Sequence, residues 1–140
     1  MASGRRKGRI IALQALYSWA CNGEPLEDLL DFEWVDQEKK ERLGEDGLAF
    51  PRIIITGTIG NIEQIDKIIK EHLINWDFDR LKKVDVALLR MSVYSLLYQK
   101  EIPPSIVIDE AIDMAKEFGT EDSFKFINGV LDNIRKSLAL

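Results

Sequence analysis

Every long stretch of this chain repeats its apolar residues at helical spacing. Ile55, Ile59, Ile62, Ile69 and Leu73 fall at offsets 0, 4, 7, 14 and 18, which is one face of a helix. Val84, Leu88, Met91 and Tyr98 form a second stripe, widened by Leu89, Val93 and Leu97. Ile108, Ala111, Ala115 and Phe118 form a third, and Phe124, Ile127, Leu131, Ile134 and Leu138 a fourth. No segment sustains a period of two, so the spacing predicts an all-α fold. At 140 residues the chain has the length of one domain.

The breaks between stripes are also readable. Asn22-Gly23-Glu24-Pro25 is a turn. EKKERLGEDG, residues 38–47, is read as a solvated loop, so the stripe running from Phe50-Pro51 to Leu73 is taken as one helix. Gly57 and Gly60 within it cost helix stability, and close helix–helix packing is the expected reason for them. Pro103-Pro104 ends the helix before it, and Ser105 is a candidate N-cap for the next. Gly119 suits the C′ position of that helix, and Thr120 a cap for the last one.

The first segment, residues 5–21, is apolar nearly all round, as a helix packed on several sides would be. It begins with Arg5, Arg6, Lys7 and Arg9. The chain carries a net charge of −5, and these four account for +4, leaving −9 for the remainder. A basic cluster on an acidic body points to one localised anion-binding site. It also places cations at the positive end of a helix dipole, which an anionic partner would relieve.

Catalytic patterns are sparse. His72 is the only histidine and is read as a boundary residue; Cys21 is the only cysteine and is read as a buried or half-buried thiol. One cysteine permits no internal disulfide, which fits a reducing cytoplasm. No apolar run is long enough for a membrane span, and no secretory leader is expected. Neither Gly-rich phosphate motif occurs. Asp109, Glu110, Asp113 and Glu117 are read as a solvated acidic face, and Arg90, inside an apolar helix, as half of a buried ion pair. Phe126 lies well off the last core stripe, beside Lys125. An off-core aromatic next to a cation is a platform for an unpaired base.

Four stretches carry a resemblance: RRKGRIIALQALYSW, VDVALLRMSVYSLL, IPPSIVIDEAIDMAKEFGTEDS and KFINGVLDNI. In that order and spacing the chain resembles the NusB family of bacterial antitermination factors. The most specific part is IVIDEAIDMAKEFGTEDSFKFINGVLD; residues 22–50 match least. Asp109 stands where the family commonly has Asn, and Lys7 where Arg is frequent.

The resemblance implies two small helical bundles, about 1–75 and 76–140. It implies binding of single-stranded boxA RNA together with NusE, a small-subunit ribosomal protein. It further implies action on elongating RNA polymerase, notably in ribosomal RNA transcription, without catalysis or a cofactor. Matching positions would contact RNA through Arg5, Arg6, Lys7, Arg9, Arg80, Lys125 and Phe126. Others would contact NusE through Tyr17, Asp85 and Asp122, with helix capping a competing role for Asp122. A helical protein-interaction scaffold, and an RNA-binding module related to ribosomal RNA methyltransferases, are the alternatives. A homodimer would be a form of self-inhibition, suggested by the apolar first helix.

Overall fold

The computed structural model describes residues 2–140, with side chains from residue 5 onward. Seven α-helices run in chain order: α1 Ala2–Asn22, α2 Leu26–Leu30, α3 Gln37–Gly60, α4 Ile62–Glu71, α5 Lys83–Tyr98, α6 Pro104–Phe118 and α7 Ser123–Ser137. A short 3-10 turn, Phe78–Arg80, precedes α5. No strand occurs among the described residues, as the helical periodicity requires.

The centre of the fold is α5. Every residue from Asp85 to Leu96 except Arg90 is buried. It packs against α1, α3 and α4, and also against α6 and α7. The first helix is well buried too, between α3 and α5, but α5 is the one surrounded. Arg90 lies on α5 and grips Asp66 of α4 with a two-point fork, Nε and Nη2 each 2.9 Å from a carboxylate oxygen. The rings of Trp19 and Phe78 lie 5.5 and 5.6 Å from its guanidinium. The expected ion pair is therefore present, part-buried rather than fully buried and flanked by two aromatic rings.

The predicted loop at residues 38–47 is helical. Asp36 caps it, its side chain accepting from the Glu38 N–H, and its Glu, Lys and Arg content favours helix. Gly44 interrupts it with φ 68° and ψ −176°, a conformation open essentially to glycine alone. The single helix expected over 50–73 is two. Asn61 leaves helical geometry, and its Nδ2 donates to the Gly57 carbonyl at 2.8 Å. That break re-phases the stripe, so the deepest residues are Ile54 and Ile55 in α3 and Ile65 and Ile69 in α4. Ser105 does not cap α6; Pro103 does, with Pro104 as the first helical residue. Gly119 ends α6 in extended geometry, and a side chain there would meet the Ala115 carbonyl at 2.7 Å. Phe118, expected inside, is exposed.

The two glycines of α3 behave differently. A Cβ on Gly57 would lie 2.1 Å from the Tyr94 ring, whereas one on Gly60 would meet nothing within 4 Å. The close-packing reason therefore holds for Gly57 alone. Gly57→Ala should lower stability by about 1–3 kcal/mol, the usual cost of overpacking. Gly60→Ala should leave it within about 0.5 kcal/mol, as open surface positions do. Urea midpoints of the two variants check this.

Candidate nucleic-acid interface

The basic turn divides into three kinds of residue. Arg5 and Lys7 are exposed and, among the described residues, form no ion pair. Arg6 is already engaged. Its Nε donates to Glu110 Oε2 at 2.6 Å and its Nη2 to Asp113 Oδ2 at 2.7 Å. The hydrogen bond to Glu110, partly opposed by desolvation, pushes the Arg6 pKa above its ordinary value. Glu110 and Asp113, expected to be a solvated face, are thus the clamp that holds α1 to α6.

Arg9 is not a surface cation. It is 2 % exposed, because Arg9, Ala12, Leu13 and Leu16 fall at i, i+3, i+4 and i+7 on the buried face of α1. Its guanidinium lies 5.5 Å from the Phe50 ring centroid, and among the described residues its Nη1 and Nη2 have no hydrogen-bond partner. Burial pushes its pKa down to about 10, so it stays charged at neutral pH. The expectation that it presents a charge to a ligand alongside Arg5, Arg6 and Lys7 is corrected by this burial.

Five of the remaining predicted site residues converge. Arg80, Asp85, Asp122, Lys125 and Phe126 line one groove of about 390 Å³ between the 3-10 turn, the start of α5 and the start of α7. Arg80 and Lys125 are exposed at its rim. Phe126 is half-buried and meets Trp76 edge-on, with ring centroids 5.1 Å apart and planes at 62°. Asp122 sits at the N-cap of α7 but makes no capping bond. Ser123 ties down that corner instead, its Oγ accepting from the Thr120 N–H at 3.0 Å. Asp85 lies in the first turn of α5, where the helix dipole favours an acid. It is 5 % exposed, and its Oδ1 has no partner among the described residues.

Tyr17 stands apart from these five, 45 % exposed. It lines a neighbouring groove of about 610 Å³ with Phe118, Lys82 and Lys83. The two grooves share Lys82 as a wall. A hydrogen bond with Cys21 raises the Tyr17 pKa. Cys21 is exposed rather than buried, since Gln14, Tyr17 and Cys21 form the outward stripe of α1. Arg5, Arg6 and Lys7 line neither groove.

Trp76 escaped the sequence reading. Its local context, INWDFDR, puts it between Asn75 and Asp77 in a turn, and only the fold brings it to Phe126 and the cations.

The NusB family model matches residues 6–136. The chain belongs to the NusB family. It is 55% identical over 135 residues to the transcription antitermination protein NusB of Treponema denticola, covering 96% of this chain and 98% of that protein. It is 48% identical over 134 residues to the NusB of Treponema pallidum (strain Nichols), covering 96% and 94%. Among solved structures, T. maritima NusB superposes with a TM-score of 0.85 at 39% identity, covering 94% of this chain and 90% of that one. A chain from the crystal structure of antitermination factors NusB and NusE in complex with dsRNA gives a TM-score of 0.81 at 28% identity, covering 98% and 99%. The all-α architecture of this chain is therefore the NusB fold. Among the described residues no helix is long and apolar enough to cross a membrane.

Two stability outcomes follow from the basic turn of this NusB-family chain. Arg9→Met should raise unfolding free energy by about 1 kcal/mol at neutral pH, because an apolar side chain of similar length removes an unpaired buried cation. Glu110→Gln should lower it by about 1 kcal/mol by weakening the Arg6 clamp. Chemical denaturation of both variants gives the two signs.

Proposed function

We propose that this chain is a transcription antitermination factor. It binds single-stranded boxA RNA together with NusE, and the complex joins elongating RNA polymerase, notably on ribosomal RNA transcripts. The observation that carries the reading is the groove at α7. In a NusB-family chain, it assembles Phe126, Lys125 and Arg80 from sequence positions 45 residues apart into a stacking ring flanked by cations. A relative of the same fold occurs in complex with NusE and dsRNA, which supports RNA and NusE as the two partners.

In this reading Arg5 and Lys7 take phosphates directly. Arg6 reaches RNA only by releasing part of its hold on Glu110 and Asp113. Arg9 contributes from beneath, by fixing the turn against Phe50. The ring of Phe126 stacks a base, and Arg80 and Lys125 take the flanking phosphates. NusE docks on the Tyr17 groove and on Asp122, whose free carboxylate suits a basic ribosomal protein. Asp85, being buried, would meet NusE only at the edge of its groove. The protein works by holding its partners in one assembly, with no catalysis and no cofactor. Most of the apolar surface of α1 that suggested a homodimer packs against α3 and α5, while Tyr17 remains exposed.

Fluorescence anisotropy of a labelled boxA-like RNA, with and without NusE and against a scrambled RNA, tests the reading. Tighter and sequence-selective binding with NusE is expected. Equal binding to both RNAs, or none, overturns it. Four exposed phosphate contacts, Arg5, Lys7, Arg80 and Lys125, predict a log–log salt slope of about −3, flattened by roughly 0.7 on removing any one. Phe126→Ala should cost about 1–3 kcal/mol of RNA affinity.

A further inference from the structure

A separate cleft opens between the end of α1, the 3-10 turn and α5. It is lined by Trp19, Phe78, Asp79, Lys83, Val86 and Arg90, and its volume is about 440 Å³, in the range of small-ligand sites. It shares no lining residue with the α7 groove, and Lys83 alone with the Tyr17 groove. Arg90 has donors to spare there. Its fork to Asp66 uses Nε and Nη2. Nη1 makes no hydrogen bond among the described residues and is not sealed from solvent; the side chain is 12 % exposed. A guanidinium carries five N–H donors and no acceptor. The edge turned away from Asp66, Nη1 with the second hydrogen of Nη2, therefore offers two parallel donors. Trp19 and Phe78 flank that guanidinium at 5.5 and 5.6 Å, so a planar group that meets it finds aromatic surface beside it.

The charges of the cleft are spaced out. Lys83 precedes Arg90 by seven residues on the same face of α5, about 10.5 Å along the helix axis. It is exposed and, among the described residues, in no ion pair. Lys70 stands over the Phe78 ring at 5.1 Å. Asp79 is the one acid of the lining. These parts select among ligand chemistries. Paired donors beside two rings suit a planar group with two adjacent acceptors. Guanine has that edge, N7 and O6, the pair that arginine most often reads in nucleic acids. Adenine places a donor amine beside N7 and mismatches it. In a pyrimidine nucleotide the one such pair, N3 and O2 of cytosine, adjoins the ribose. Carboxylates and phosphates also accept from arginine, but Asp79 opposes a bare anion, whereas guanine presents it with donors, N1–H and the N2 amine. A nucleotide carries its phosphates at the end remote from that base edge, as Lys83 is remote from Arg90.

We propose that this cleft is a site for a free guanine nucleotide, apart from the RNA and NusE surfaces. Arg90 reads N7 and O6, Trp19 and Phe78 wall the purine, and Lys83 takes the phosphates.

Titration calorimetry of the full chain with GDP, ADP, CDP, guanosine and inorganic phosphate tests this. NusE is left out because Lys83 also borders the Tyr17 groove. GDP should bind at least about tenfold more tightly than ADP or CDP and at least about fivefold more tightly than guanosine, and phosphate alone should not bind. Lys83→Met, at an exposed position, should bring GDP to within about twofold of guanosine while GDP still exceeds ADP. Arg90→Lys should erase the preference for guanine. Ala20→Phe, which fills the cleft and leaves the Arg90 fork its partners, should cost GDP at least about tenfold, so the site is tested even where Arg90→Lys fails to fold. Equal binding of GDP and ADP overturns the proposal, as does no binding of GDP at millimolar concentration. GDP affinity unmoved by both Lys83→Met and Ala20→Phe overturns it too. Displacement of bound GDP by a boxA-like RNA would give the cleft to the RNA strand and overturn it as a separate site.

Discussion

A helix buried on nearly every side has to be enclosed, and α5 imposes that requirement on the whole chain. Five other helices pack against it, and Arg90, the one residue of the run that is not fully buried, is matched by Asp66 and flanked by Trp19 and Phe78. The fork and the two rings make it a fixed joint between α4, α5 and the 3-10 turn. The first turn of α5 then has a fixed place. So does the groove that Asp85 and Lys82 help to wall. The position of the candidate RNA surface is thus set by core packing rather than by loops.

The electrostatics of that surface are more economical than the charge count suggests. Of four clustered cations at the start of α1, two are free, one is clamped by α6 and one is inside the protein. The clamp explains how a basic helix start persists against its own dipole: Glu110 and Asp113 supply the negative charge that the first turn lacks. The α7 groove mixes its charges differently. Exposed cations, Arg80 and Lys125, stand at its rim and the buried Asp85 lies within.

Much of the fold was legible. The stripes of α5 and α7 placed Leu88, Met91, Ile127, Leu131 and Ile134 in the core, where they are. What periodicity missed were re-phasing events. Asn61 breaks a continuous stripe with one side-chain hydrogen bond, and Gly44 lets helix continue beyond a break. Both depend on local backbone geometry that apolar spacing does not encode. For the site, Phe126 stood out because it left its stripe, whereas Arg9 was misjudged because four adjacent cations look alike until helix phase is applied to each. Trp76 was missed for the opposite reason: its neighbours in sequence, Asn75 and Asp77, give no hint of a site, and its neighbours in space are Phe126 and the groove cations.

The Arg6 clamp has a consequence for how a ligand would be captured. A terminal basic arm without tertiary contacts must be ordered by its ligand, and that ordering subtracts from affinity. Here the two bonds to α6 hold the first turns of α1 in place before any ligand arrives, so Arg5 and Lys7 project from a rigid base. The cost of ordering has been moved from the binding step to the folding step. Affinity gained in this way shows itself as a slower departure of the ligand more than as a faster arrival.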